Sequence, residues 1–243
     1  MLPSTRLHLV YFTGDVRGNA RTDSGGQVML RVMILIPLLL VGAACQRPLT
    51  PEEDRAQALE IVRSRASVAE REGCPAEAIP ERQAQLENFF IYCDARLSWC
   101  AKQCFKSDAT ACYALAVIFQ NDDATDQLAE PLFYRSCTQG VISGCSNRAA
   151  GLQIQQQTDD TAMTCAVRTF EKTCALRDPW GCAMHGFNLV QGTHTPRDLK
   201  KAREVLGQSC RDGEDDPACQ AARGLQSQLD AFDLEQATEP RPK

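Results

Sequence analysis

The chain has 243 residues, which corresponds to one or at most two domains, and its hydrophobic fraction of 44% is sufficient for a packed core. Its 26 basic and 31 acidic residues give a formal charge of −5, which argues against a nucleic-acid partner because phosphate binding requires clustered basic charge. The 13 cysteines include no C-x-x-C pair and are accompanied by only 3 histidines, so the composition predicts no metal or other cofactor and favours an oxidising compartment.

The first predicted element is an export signal over residues 29–44. It begins with the basic Arg31, continues with an apolar run from Val32 to Val41 and ends in small residues, which is the pattern of a secretory signal peptide. The apolar run is shorter than the about 20 residues that a membrane-spanning helix needs. The polar residues 1–28 before it are predicted to be an over-extended or disordered N-terminus.

The end of this signal resembles that of a bacterial lipoprotein, because Ala43 and Ala44 directly precede Cys45. The resemblance implies that Cys45 becomes the lipid-modified first residue of the mature chain, and Gln46 after it favours the outer membrane. The chain would then lie in the bacterial cell envelope, held at the membrane by its lipid alone. Gly42 stands where the lipoprotein pattern prefers leucine, so a secreted or periplasmic protein cleaved near Ala44 is the alternative.

Two further elements precede the cysteine-rich part of the chain. Residues 45–52 are predicted to be a tether, and residues 53–84 a capping helix followed by a loop. The sequence from Glu52 to Glu72 predicts one amphipathic helix, with Leu59 and Val62 among its apolar positions. Its polar outer face suits the cap that the end of a helical repeat array requires.

Four pairs of cysteines recur along the rest of the chain. Within the pairs the sequence separations are 8, 8, 8 and 9 residues, and the first cysteines follow one another at 33, 37 and 36 residues. Self-similarity at this period predicts an α/α solenoid with one helical hairpin in each unit. The pairs are Cys104 and Cys112, Cys137 and Cys145, Cys174 and Cys182, and Cys210 and Cys219.

The segments around these cysteines are predicted to be helices. Three first helices carry Phe133, Phe170 and Leu206 four residues before the first cysteine, one turn back on the same helix face. No alternating run is long enough for a sheet. The predicted fold class is therefore all-α, an α/α solenoid of about four disulfide-linked helical hairpins over residues 85–232, followed by a disordered tail over residues 233–243.

The spacing within the pairs predicts their bonding. Residues eight apart on one helix lie about 12 Å apart, whereas the Cα atoms of a disulfide lie about 5.5 Å apart. The two cysteines of a pair can therefore meet only if the chain reverses between them. Each pair thus predicts a tight turn, with a disulfide that joins the end of one helix to the start of the next.

Four cysteines besides Cys45 have no partner assigned by this spacing, and they allow three connectivities. Cys93 and Cys100 would lie about 10 Å apart on a single helix, or they would face each other across a turn, since Phe89 precedes Cys93 by four residues as Phe133 precedes Cys137. A structural bond is preferred to a redox role, which requires an exposed thiol of low pKa beside a resolving partner. The four are Cys74, Cys93, Cys100 and Cys165.

The units LFYRSCTQGVISGCSNRAAGL and TFEKTCALRDPWGCAMHGFNLVQG resemble the cysteine-rich Sel-like repeats, relatives of the tetratricopeptide repeat, of the Helicobacter cysteine-rich protein type. The resemblance covers residues 85–232. It implies a right-handed superhelix with disulfides inside the units and a concave face that binds an envelope protein or a peptide. Arg148 and His185 depart from the family pattern, which carries leucine at these positions of the second helix.

Some members of this family are described as β-lactamases or penicillin-binding proteins, which makes a β-lactam hydrolase or a binder of peptidoglycan fragments the alternative function. The chain has no S-x-x-K motif, and Thr169 with Lys172 copies only its spacing. His185 and His194 are too few for a zinc enzyme, and no catalytic residue is predicted. His185 is interpreted as a packing or groove-lining residue, Trp180 as a turn anchor, and residues 213–216 as a solvated turn.

Overall fold

The computed structural model describes residues 47–86, 88–155 and 158–238. The predicted signal peptide and the predicted lipidation site at Cys45 lie outside the described residues. Within these ranges all regular structure is helical and no strand occurs. The predicted all-α fold class is confirmed, and consecutive helices pack against one another in the manner of a solenoid. The handedness of the superhelix stays a prediction.

The described helices are numbered α1 to α12 in chain order, with 3-10 turns at Asp126–Leu128 and Gln208–Cys210. Their bounds are Pro51–Arg65, Val68–Glu72, Pro75–Ala78, Phe89–Tyr92, Leu97–Cys104, Ala109–Gln120, Ala129–Thr138, Ile142–Gln155, Asp160–Ala175, Pro179–Gln191, Leu199–Gly207 and Pro217–Thr238. The last eight form four hairpins, each made of a first and a second helix: α5 with α6, α7 with α8, α9 with α10, and α11 with α12.

The turns of the four hairpins share one backbone conformation. In each turn the residue three positions after the first cysteine has a positive φ, and its N–H donates to the carbonyl of that cysteine. This left-handed residue closes the first helix and redirects the chain into the second. The four residues are Ser107, Gly140, Arg177 and Gly213, with φ of 72°, 97°, 66° and 119°.

The four pairs of cysteines that the spacing predicts are disulfide-bonded in the structure. The four remaining cysteines form two further disulfides. The Cα atoms of the hairpin disulfides lie between 4.3 and 4.7 Å apart. Cys93 bonds Cys100, because α4 ends at Tyr92 and the chain turns before α5 begins, which is the second of the two predicted geometries. Cys74 bonds Cys165, 91 residues away.

The core follows the predicted register. Phe133, Phe170 and Leu206 are fully buried, each one helical turn before the first cysteine of its hairpin. In the first hairpin the equivalent position is occupied by Cys100, and Phe119 of α6 is fully buried in the same core cluster together with alanines of that helix. A core with few aromatic side chains is thus completed by alanine and by the disulfides themselves, since most of the bonded cysteines are buried.

The predicted single helix from Glu52 to Glu72 is instead two helices, α1 and α2. The break occurs because Ser67 caps α2: its hydroxyl accepts from the backbone N–H of Glu70, and the Glu70 carboxylate accepts from the backbone N–H of Ser67. This reciprocal capping box starts a new helix and favours it over continuation of α1. The C-terminal prediction also changes: α12 continues to Thr238, so residues 233–238 of the expected disordered tail are helical.

Residues 51–78, which contain α1, α2 and α3, are named the lead segment. Its three helices pack in sequence on the first helices of three successive hairpins: α1 on α5, α2 on α7 and α3 on α9. Only α1 therefore suits the predicted terminal cap. The chain then returns past the turn of the second hairpin, where the N–H of Ala84 donates to the carbonyl of Gly140, before α4 packs on α6.

Candidate functional site

The candidate site is the surface of α5, α7 and α9 on which the lead segment packs, and it is named the first-helix face. A basic side chain recurs on this face two residues before the first cysteine of a hairpin, so the repeat places the cations in one row. Each cation meets an oxygen atom of the lead segment. The three contacts are Lys102 Nζ to Gln57 Oε1 at 3.5 Å, Arg135 to the Glu70 carboxylate, and Lys172 Nζ to the backbone oxygen of Ala76 at 2.8 Å.

Acidic side chains of the lead segment complement this row. The Asp54 carboxylate accepts from the backbone N–H of Ser98 at 3.2 Å, at the start of α5. Further along, Glu77 forms an ion pair with Arg168 on α9, with an N–O distance of 2.6 Å. Arg168 and Ser98 occupy the same position of their repeats, six residues before the first cysteine. The face therefore offers one row of cations, and donors at this second position in the first and third hairpins, where the middle hairpin has Pro131.

Arg148, a buried residue of α8, binds the middle of the lead segment. Although it stands where the Sel-like repeats that the sequence resembles carry leucine, it is almost fully buried, and its guanidinium pairs with the Glu130 carboxylate at 2.7 Å. Its second terminal nitrogen donates to the backbone oxygen of Arg71 at the end of α2. Burial raises the pKa of Glu130, and the charge of Arg148 opposes that rise. Gly151 leaves room for the pair, because a Cβ there would lie 2.1 Å from the Glu130 oxygens.

A disulfide ties the end of the lead segment to α9. Cys74 lies directly before α3 and is partly exposed, and it lines an open cleft of about 410 Å³ together with its buried partner Cys165. Asp160 and Thr164 of α9 line the same cleft. His194 lies beside them with Nδ1 3.5 Å from the Thr164 hydroxyl and Nε2 3.9 Å from the Asp160 carboxylate.

Asp178 is a buried polar residue that the sequence reasoning did not single out. It caps α10 by accepting from the backbone N–H of Gly181 at 2.7 Å, and it also accepts from the hydroxyls of Ser143 and Ser146 at 2.8 and 2.7 Å. Burial raises its pKa. The contacts join the third hairpin to α8 of the second, so the role is structural. An aspartate before proline at a helix start was the available signal.

The residues considered for β-lactam chemistry occupy structural positions. The Thr169 hydroxyl is buried and donates to the backbone oxygen of Cys165 at 2.8 Å, and Lys172 is engaged by α3. His185 is buried on α10, and burial lowers its pKa. Trp180, at the start of α10, packs against the core cluster around Cys174 and Cys182, as expected of a turn anchor.

The described residues contain one group whose atoms are close enough together to hold a metal ion. Cys210, Glu214 and Cys219 place their ligand-type atoms within 4.8 Å of one another. Both sulfurs are joined in a disulfide, however, so only the Glu214 carboxylate could bind a cation. Arg223 already pairs with that carboxylate at 2.7 Å, which lowers the pKa of Glu214. The group therefore completes the solvated turn predicted at residues 213–216.

These features define the class of protein: it is a cysteine-rich helical repeat protein with six disulfides in its described residues. Comparisons with protein-family models, with curated proteins and with solved structures find no match to the chain. The number of disulfides is typical of proteins that fold in an oxidising compartment outside the cytoplasm. Among the described helices, none combines the length and the apolar composition that crossing a membrane requires.

Proposed function

We propose that the protein is an exported, lipid-anchored scaffold of Sel-like repeats that binds a protein or peptide in the bacterial cell envelope. The observation that carries this proposal is the first-helix face, where repeat positions hold a helical segment through spaced cations. In this chain the lead segment itself covers that face on α5, α7 and α9. A surface with this repeat spacing suits a further helical segment from another chain.

The position proposed for the partner is the continuation of the face on α11. The lead segment ends with α3 on α9. At the positions of the last hairpin equivalent to Arg168 and Lys172, the exposed residues are Glu204 on α11 and Gln208 in the 3-10 turn after it. A partner would therefore meet a carboxylate and an amide here in place of the two cations. A bound partner would extend the row of helices that α1, α2 and α3 begin.

Site-directed photo-cross-linking in intact cells tests this position. A benzophenone amino acid at Glu204 should yield a discrete adduct, because the partner would lie on α11. The matched control carries the same group at Gln191, which is exposed at the end of α10, a second helix. Adducts of equal yield at both positions, or none at Glu204, would contradict binding at the first-helix face.

The anchoring part of the proposal rests on Cys45 and has its own test. Labelled palmitate should enter the protein and be lost when Cys45 is changed to serine. A Gln46→Asp variant serves as the control, because it should keep the label while moving the protein from the outer-membrane to the inner-membrane fraction. Label retained in Cys45→Ser would exclude lipidation at this residue and leave the secreted or periplasmic alternative.

The contacts of Thr169 and Lys172 do not favour the alternative function, a β-lactam hydrolase. Thr169 donates its hydroxyl proton to a backbone oxygen, and Lys172 is 2.8 Å from the backbone oxygen of Ala76, so neither is directed at a common substrate position. Nitrocefin turnover that is present in the purified protein and lost in Lys172→Ala would favour the alternative.

A further inference from the structure

The six disulfides differ in how well solvent reaches their sulfurs. Two of them have a partly exposed cysteine, Cys74 in one and Cys210 in the other, each bonded to a buried partner. In the remaining four disulfides both cysteines are buried. Because thiol–disulfide exchange requires an attacking thiolate to reach a sulfur along the bond, only the two exposed bonds are open to it.

The two exposed disulfides have neighbours of opposite charge. Nη2 of Arg168 lies 3.6 Å from the Cys74 sulfur. At the other bond, a carboxylate oxygen of Glu214 lies 3.5 Å from the Cys219 sulfur. A cation stabilises the thiolate that forms as the bond breaks and attracts the incoming thiolate, whereas a carboxylate disfavours both.

The surroundings of Cys74 make its sulfur accessible, and they also contain carboxylates that slow exchange. The bond borders the open cleft of about 410 Å³, so an extended loop of another protein can reach it. Glu77 shares the charge of Arg168 through its ion pair at 2.6 Å, and Asp160 adds a second carboxylate to the cleft. Removing the Glu77 charge should therefore strengthen the electrostatic effect of Arg168 at the Cys74 sulfur.

We propose that the bond between Cys74 and Cys165 is a thiol–disulfide exchange site whose co-reactant is a dithiol protein of the envelope. One thiolate of the dithiol attacks the Cys74 sulfur and forms a mixed disulfide, while Cys165 leaves as a thiolate and takes a proton. The second thiolate of the dithiol then attacks the mixed disulfide and releases Cys74. The dithiol becomes a disulfide, and its two electrons and two protons end on Cys74 and Cys165.

Exchange at this bond changes how the lead segment is held. The disulfide is the covalent tie between α3 and α9, and after its reduction α3 keeps the Glu77 ion pair and the Lys172 hydrogen bond. The middle of the segment stays attached independently, through Glu70 to Arg135 and through the Arg71 carbonyl to Arg148. Reduction therefore leaves α3 attached to α9 by noncovalent contacts alone, while the attachments of α2 are unchanged.

The test is the order in which the bonds open. The oxidised protein is treated with limiting dithiothreitol, quenched at intervals with iodoacetamide and digested with trypsin. We expect Cys74 and Cys165 to be alkylated about tenfold faster than Cys210 and Cys219, and before the buried pairs. Equal rates at the two exposed bonds, or earlier opening of Cys210–Cys219, would overturn the proposal.

Two charge variants separate the electrostatic explanation from simple loosening of α3. Arg168→Gln should slow reduction of the Cys74 bond about threefold, and Glu77→Gln should accelerate it. The reason is that Arg168 lies beside the Cys74 sulfur, where the incoming thiolate attacks and where the Cys74 thiolate forms in the second step. Both variants break the same ion pair, so a merely structural role would accelerate reduction in both. Glu214→Gln is the matched variant at the other bond and should accelerate reduction there. Changes of the same sign in Arg168→Gln and Glu77→Gln would contradict the exchange site.

Discussion

The four hairpins and the lead segment are stabilised by contacts of different range. In the hairpins each disulfide joins cysteines eight or nine residues apart across one turn. The lead segment is held by the Glu70–Arg135 ion pair, across 65 residues, and by the Cys74–Cys165 bond, across 91. Hairpins can therefore form from neighbouring sequence alone, while the lead segment needs a surface that three hairpins build together.

Full reduction is expected to have the largest effect on stability, and most of that effect comes from the loss of the hairpin bonds. Each hairpin bond closes a loop worth about 2.5 kcal/mol in the chain-entropy model, so the four together contribute about 10 kcal/mol. A folded domain typically has a free energy of unfolding of about 5–15 kcal/mol. We expect excess reductant to abolish the helical circular dichroism at physiological temperature. A reduced protein that melts where the oxidised one does would show that the core alone is sufficient.

Removal of single bonds compares the two regions directly. Replacing Cys74 and Cys165 together by alanine should lower the free energy of unfolding by about 4.6 kcal/mol in the same model, because this bond closes a long loop. The matched variant, Cys137→Ala with Cys145→Ala, should lower it by about 2.5 kcal/mol. Urea unfolding monitored by circular dichroism measures both. The same loss in both variants would mean that loop length does not set their contributions.

The buried pair beneath the lead segment gives the next effect. Arg148→Leu introduces the residue that the family pattern prefers, but it leaves the Glu130 carboxylate buried without its cation. We expect a loss of about 3 kcal/mol, in the range for breaking a buried ion pair. Hydrogen exchange in α2 should also rise, because the donor to the Arg71 carbonyl is removed. The double variant with Glu130→Gln should recover at least half of the loss, and no recovery would contradict the ion-pair explanation.

The sequence predicted the hairpins better than the lead segment for a physical reason. The bond between Cys137 and Cys145 and the burial of Phe133 follow from spacings within one turn or one helix, which a single sequence displays. The bond between Cys74 and Cys165 depends on packing of α3 on α9, and nothing in the spacing indicates that contact. Arg148 was visible only as a departure from the family pattern, since its partner Glu130 lies on another helix.

The boundary between α1 and α2 was also missed by the sequence prediction. The apolar periodicity from Glu52 to Glu72 continues across a break that Ser67 and Glu70 impose through local hydrogen bonds. That capping signal is present in the sequence, but the periodicity outweighed it in the prediction. A binding face was expected only from the resemblance to Sel-like repeats. The cysteine spacing already aligns the row of cations, but their contacts with the lead segment depend on packing across the chain, which the sequence does not display.

The turn residues should give the smallest effects, of opposite sign. Arg177 adopts a φ of 66°, which glycine reaches without strain, so Arg177→Gly should raise the free energy of unfolding by about 0.5–1 kcal/mol. Gly140→Ala should lower it by about 2 kcal/mol, because the added Cβ would lie 2.7 Å from the backbone oxygen of Arg82 on the returning chain. Thermal unfolding distinguishes the two, and stabilisation by Gly140→Ala would contradict the turn geometry.

Tryptic mapping of the unreduced protein tests the contrast between local and long-range bonding most directly. The peptide Ser136–Arg148 carries both cysteines of the second hairpin and should be two hydrogens lighter than its reduced form. The peptides Glu72–Arg82 and Ala149–Arg168 should stay joined until reductant is added, because Cys74 bonds Cys165. A bond between cysteines of different hairpins would contradict this contrast. So would the appearance of Glu72–Arg82 and Ala149–Arg168 as separate peptides before reduction.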